Sequence, residues 1–252
     1  MNKEQPKALN LHPFFKRKNK HFCMTTWAQH LTQFYGSLTP PATLPHGIEW
    51  LHPQQSPGVM ELASTFFQKF FNDSQPRSLM LGINPGRFGA GVTGVNFTAG
   101  KQLTQNCGIE HNLKPQSELS AEFIYEVIEA YGGPQAFYSR FFIGSVCPLG
   151  FVQRGKNINY YDDKSLLQAV EPFIVANLKK LVGFGVHRQV CICIGGEKNF
   201  KYLSKLNQQY HFFDQVVPVA HPRFILQYRR KQKDLFVDQY LQALTMAEES
   251  KI

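Results

Sequence analysis

The sequence predicts an α/β protein, a three-layer α/β/α sandwich around a short, mainly parallel, four-stranded sheet. Three observations carry that expectation. Short apolar runs, LMLGI at 79–83 and VCICIGG at 190–196, stop at glycine or lead into a glycine-rich turn, as buried central strands do. Segments with apolar residues at helical spacing separate them. Strands that alternate with helices in this way pair in parallel and carry helices on both faces.

Element by element, residues 1–25 are basic and lack periodicity, so they read as a loosely ordered arm, with Met24 an alternative start. Residues 26–252 read as a single domain. A helix is expected from Thr26 to Tyr35, broken by GSLTPPATLP, and an amphipathic helix over 58–71 (GVMELASTFFQKFF) precedes the first strand. GIEHNLKPQ reads as irregular surface. In SAEFIYEVIEAYGG, Phe123, Ile124, Val127, Ile128 and Tyr131 mark one helical face, and Gly132-Gly133-Pro134 ends it. The second strand is expected over 136–146 (AFYSRFFIGSV). KSLLQAVEPFIVANLKKLV is helical, with Pro172 marking a kink or a new helix start. VCICIGG is the third strand, EKNFKYLSKLNQQY a helix, DQVVPVAHP (214–222) the fourth strand, and KDLFVDQYLQALTMAEE the closing helix. There is no internal repeat or low-complexity tract.

Composition narrows the function classes. Lys and Arg total 27 against 18 Asp and Glu, a net charge of +9, which suits a polyanionic partner and makes nucleic acid the leading candidate. No apolar run approaches the ~20 residues of a membrane span. The N-terminus MNKEQPKALNLHPFFKRKNKH has no apolar signal core, so the chain is expected inside the cell: in cytoplasm or nucleoid if bacterial, in the nucleus if eukaryotic. A monomer is expected. Five widely spaced cysteines (Cys23, Cys107, Cys147, Cys191, Cys193) form neither a disulfide framework nor a zinc pattern, so no metal and no cofactor is expected.

The loop after the first strand poses the functional question, because GINPGRFGAGVTGVNF (82–97) is poor in side chains and rich in approachable backbone. Gly89-Ala90-Gly91-Val92-Thr93-Gly94 matches the G-x-G-x-x-G pattern of dinucleotide binding. In a true fingerprint the first glycine lies in the turn leaving the strand, and an acidic residue ~20 positions later caps the next strand. Here Asn84-Pro85-Gly86 occupies that turn, and Glu110 follows no strand.

The same loop resembles the first motif of the uracil-DNA glycosylase superfamily. The likeness is to its single-strand-selective monofunctional branch or a close bacterial-type relative, with the form G-[MI]-N-P-G-x-F-G-x-x-x-T-G-V-x-F matched at every fixed position. CPLGFVQRGKN (147–157) and His221-Pro222-Arg223 resemble the second and third motifs. The iron–sulfur branches are disfavoured, since no cysteine cluster exists. The resemblance implies a DNA glycosylase that removes uracil, 5-substituted uracils or other deaminated bases in base excision repair. DNA, single- or double-stranded, would be the partner.

Residue roles follow from that resemblance. Asn84 and His221 are the expected catalytic pair: Asn84 would hold the attacking water, and His221 would donate a hydrogen bond to O2 of the leaving base. Gly82, Ile83, Gly86, Phe88, Phe97 and Asn157 form the expected substrate-binding set, with Phe97 as stacking platform and the glycines opening backbone N–H groups to base or phosphate. Asn157 is expected to select uracil, because a carboxamide offers a donor and an acceptor that match O4 and N3–H. Arg87, within the first motif, and Pro222, Arg223, Phe224, Arg229, Arg230 and Lys231, on a loop that in the family enters the duplex, form the expected DNA-binding set. The usual H-P-S-P-R run is H-P-R-F-I here, which leaves the wedge between Arg223 and Phe224. Two alternatives stand beside this: a nucleic-acid-binding protein of the same fold with little catalysis, and behind it a nicotinamide-dependent enzyme.

Overall fold

The computed structural model describes residues 25–251, except 42 and 115–117; the predicted arm, apart from Thr25, lies outside the described residues. Helix α1 (Trp27–Gly36) starts where expected, because Thr26 and Gln29 form a reciprocal capping box. Strand β1 (Ile48–Leu51) and α2 (Val59–Phe70) follow, then β2 (Arg77–Gly82). A short helix, α3 (Ala90–Thr93), lies within the glycine loop and another, α4 (Gly100–Gln105), follows it before α5 (Leu119–Tyr131). Next come α6 (Pro134–Tyr138), β3 (Phe141–Ser145), β4 (Gly150–Gln153), β5 (Lys156–Ile158) and α7 (Lys164–Val182). The chain closes with β6 (Val186–Ile194), α8 (Glu197–Tyr210), β7 (Gln215–Val219), α9 (Pro222–Tyr228) and α10 (Lys233–Glu249).

Strands β3, β2, β6 and β7 form one sheet in that order, all parallel. Every residue of β2 and β3 is buried, as strands covered by helices on both faces must be. The α/β/α sandwich with a four-stranded parallel sheet is therefore the fold. Its most demanding core residue is Arg77, fully buried at the start of β2. That charge is neutralised by Asp73, with Nη2 2.7 Å from Oδ2, and capped by the Tyr138 and Gln75 carbonyls. The guanidinium in turn holds the Asp73 carboxyl below its ordinary range.

One local expectation is corrected, one is narrowed, and one segment with no expected element gains one. The second strand is shorter than 136–146, because Gly133-Pro134 does not only end α5: a proline at the first helical position opens α6, and the strand waits until Phe141. Pro172 starts no new helix; α7 runs through it as one 19-residue helix, with Val170, Phe173 and Ile174 buried on either side of the lost hydrogen bond. The CPLGFVQRGKN block, read only as a motif, contains a hairpin. Arg154 (φ +48°) and Gly155 (φ +71°) turn β4 into β5, and β1 adds antiparallel to β4, making a separate three-stranded sheet.

Candidate active site

In a parallel α/β sheet, ligands bind where the strands end. All four central strands deliver a residue to one cleft of about 420 Å³: Asn84 after β2, Ser145 at the end of β3, Gly196 after β6 and His221 after β7. The second sheet supplies one wall, through Asn157 and Asn159.

Asn84 is held by its own amide. Its Nδ2 donates to the Ile158 carbonyl at 3.3 Å, and its Oδ1 accepts the Tyr160 N–H at 3.1 Å. Both partners belong to the chain leaving β5, so the small sheet decides which end of the amide faces which way. One lone pair of Oδ1 is left over.

Phe97 sits at φ +53°, a conformation that costs a non-glycine residue on the order of 1–3 kcal/mol and persists only where the surroundings impose it. Its ring lies over the end of β2. A β-carbon at position 82 would come within 2.6 Å of that ring, which is why the strand ends in glycine. Gly91 is also a matter of internal fit, since a β-carbon there would meet the Gly86 carbonyl at 2.6 Å. At these two positions the loop is bare to admit its own atoms, not a ligand's. The Phe97 and His221 rings stand 6.0 Å apart between centroids.

His221 caps α9. Its Nδ1 accepts the Arg223 N–H at 3.2 Å, so in the neutral ring the proton sits on Nε2. Burial, and then the nearby Arg223 charge, push its pKa down to about 4. The imidazole is therefore neutral and carries one N–H to donate.

The other expected residues divide. Ile83, Gly86, Phe88, Arg223 and Phe224 line the cleft, and Pro222 is buried as the first residue of α9. Phe88 and Phe224 are each 43% exposed at the rim. Arg223 lies 4.0 Å from Glu118 across the mouth. The segment expected to be a loop is helix α9, and Arg229, Arg230 and Lys231 lie beyond its end, exposed and away from the cleft wall. Arg87 packs over the Phe88 ring at 5.1 Å, and its backbone N–H donates to Asn157 Oδ1 at 3.3 Å. Asn157 itself is exposed on β5, not in the dry setting assumed for a base-selecting amide.

Residues 68–245, more than half of the chain, match the family model described as the Uracil DNA glycosylase superfamily. The chain belongs to the uracil DNA glycosylase superfamily. Its structure is similar to the crystal structure of wild-type SMUG2 from Pedobacter heparinus, at 43% identity and a TM-score of 0.87. The match covers 90% of this chain and 100% of the other. As a DNA glycosylase of this superfamily, the protein is a hydrolase that has DNA as its partner. Among the described residues no helix is long and apolar enough to cross a membrane.

Several cleft residues of this glycosylase escaped the sequence reading. Asn96 occupies the one free position of V-x-F beside Phe97, and Ser145 ends a strand two residues before Cys147. Tyr228, 61% exposed, packs at a tilt against Phe224 one helical turn away, with ring centroids 5.8 Å apart. The rule that strands deliver their last residue to the site would have found Ser145. Nothing local singles out Asn96.

Proposed function

We propose that this glycosylase hydrolyses the N-glycosidic bond of uracil in DNA with water as its only nucleophile, leaving an intact strand with an abasic site. One observation carries the reading: a carbonyl-oriented amide (Asn84) and a neutral imidazole with its proton on Nε2 (His221) converge on one cleft beside the Phe97 ring.

The roles follow from charge. As the bond breaks, the sugar gains positive charge and the base negative charge. The Nε2–H of His221 donates to O2 of the departing uracil, and such an aimed donor contributes about 10²–10³ in rate. A neutral donor suits this, because it stays paired with the anion without surrendering its proton. Asn84 offers the spare lone pair of Oδ1 to a water at the anomeric carbon. An amide takes no proton at neutral pH, so this is positioning. Phe97 stacks on the extruded base, which must leave the helix to be reached. Asn157 fixes the glycine loop through the Arg87 N–H and offers its NH₂ group at the mouth. Arg87, Arg223, Arg229, Arg230 and Lys231 neutralise phosphates, and Phe224 on α9 fills the space the base vacates.

A lysine amine would make the enzyme bifunctional. Among the described residues no lysine lines the cleft, and Lys156, next to Asn157 on β5, is exposed and projects to the other side of the strand. The experiment is a labelled uracil oligonucleotide incubated with enzyme, then divided. Hot alkali should cut the treated strand, whereas without alkali it should stay whole, and borohydride during turnover should trap no adduct. A strand that survives alkali removes the uracil-excision reading; a trapped adduct removes the water-only mechanism.

A further inference from the structure

Two buried polar side chains at the floor of the cleft have no part in the chemistry above. Asn96 and Ser145 are each only 7% exposed, yet both line the cleft. They belong to a chain of hydrogen bonds drawn from three elements. Ser145 Oγ, at the end of β3, donates to Asn96 Oδ1 at 2.8 Å, and Asn96 Nδ2 donates to the Tyr35 hydroxyl of α1 at 3.1 Å.

The valences left over are informative. An amide NH₂ carries two hydrogens, and one goes to Tyr35; a hydroxyl oxygen has two lone pairs, and Ser145 spends its hydrogen on Asn96. One N–H of Asn96, the second lone pair of its Oδ1 and the lone pairs of Ser145 Oγ remain unpaired within protein. Each of these atoms already has one protein partner, which fixes its direction, and both residues line the cleft, so the remaining valences are open to a ligand there. They demand one that places a carbonyl beside an N–H, the imide edge of uracil. Cytosine presents the reverse, an amino group beside a bare ring nitrogen, and would leave donors facing donors in a site with little water.

Asn157 meets this requirement less well. Its side chain is open to solvent, where water makes good any missing bond, and its carbonyl is engaged by the Arg87 N–H. Asn96 and Phe97 line the same cleft, so a base stacked on that ring and an amide that reads its edge share one site.

We propose that Asn96, ordered by Tyr35 and Ser145, is the amide that reads the pairing edge of the extruded base, and that Tyr35 is a positioning residue acting through it. The proposal rests on the uracil-glycosylase reading and names the specificity determinant of that site. It assigns to a loop residue the discrimination that the second sequence motif had suggested for Asn157.

The test is single-turnover excision from a uracil oligonucleotide by wild type, Asn96→Ala, Asn157→Ala, Tyr35→Phe and the Tyr35→Phe/Asn96→Ala double variant, with DNA affinity and melting temperature measured for each. Asn96→Ala should lose about 100-fold in rate, the scale of bonds to a base left unmade in a dry site, while DNA affinity holds. Tyr35→Phe should lose about tenfold, and the double variant should be no slower than Asn96→Ala alone, because Tyr35 has nothing left to orient. Asn157→Ala should stay at least about tenfold faster than Asn96→Ala. Asn96→Ala at the wild-type rate, or slower excision by Asn157→Ala than by Asn96→Ala, overturns the proposal. Should Asn96→Ala fail to fold, Tyr35→Phe decides: wild-type excision at an unchanged melting temperature overturns it. A wild-type enzyme that leaves uracil in place fells the uracil-excision reading itself, and that control separates the two failures.

Discussion

Replacing His221 by glutamine should change how both stability and activity respond to acid. Glutamine keeps an N–H donor but takes up no proton. In the native protein burial and the Arg223 charge hold the His221 pKa at about 4, against an unfolded value of about 6.5. Between those two values the unfolded chain binds more protons than the native one, so stability rises with pH through the window and is lost as pH falls from about 6.5 towards 4. A displacement of about 2.5 units at ~1.4 kcal/mol each sets a ceiling of ~3.5 kcal/mol, of which about 2.5 kcal/mol is already gone at pH 4.5. Denaturant unfolding of both proteins at pH 8 and pH 4.5 measures it. Other titrating groups are shared, so the difference between the two slopes isolates His221. Activity adds a second arm. With an ordinary pKa about 3% of the ring would be neutral at pH 5, whereas a pKa near 4 keeps most of it neutral. Wild-type excision should therefore persist at pH 5 and fall only near pH 4. Equal pH slopes for the two proteins, or an acid limb centred near pH 6.5, would refute the neutral-imidazole argument.

Three further outcomes are expected. Asn84→Ala should lose about 10²–10³ in excision rate with most DNA affinity retained. It should also melt lower, because the Tyr160 N–H and Ile158 carbonyl lose their partner; parallel losses of binding and rate would contradict the positioning role. Changing Arg229, Arg230 and Lys231 together to alanine should weaken binding to every sequence and reduce the slope of log affinity against log salt by about 2–3, at ~0.7–0.9 per phosphate contact. An unchanged slope would mean that these charges touch no phosphate. Gly82→Ala should lower excision at least about tenfold, since its β-carbon at 2.6 Å displaces the Phe97 ring from its platform position. Unchanged activity would show that the ring tolerates the shift or carries no base.

Much of this protein was legible in one dimension because the signals are local. Apolar runs broken by glycine placed β2 and the end of β6, and helical periodicity placed α2, α5, α8 and α10. The errors have local causes too. Gly133-Pro134 both stops one helix and starts another, and the Arg154-Gly155 turn lay hidden inside a block read as a motif. His221-Pro222 and Asn84-Pro85 drew notice because proline constrains the residue before it and thereby fixes how a strand ends.

Tertiary structure decided what those residues face. Asn84 and Tyr160 are 76 positions apart, Asn96 and Tyr35 61, and Asn96 and Ser145 49, yet hydrogen bonds of 2.8–3.1 Å join each pair. No periodicity encodes such pairings, because each depends on where a different strand or helix comes to rest in the packed sandwich. Burial is likewise a property of the assembled chain: it makes the His221 ring neutral, closes Asn96 off from water and leaves Asn157 in it. The sequence by itself determined the sheet, the superfamily and the chemical identity of the groups at the strand ends, since these follow from residue type and near neighbours. Which amide is dry was decided only when distant segments met and excluded solvent, and burial matters because a hydrogen bond becomes selective only where water cannot replace it.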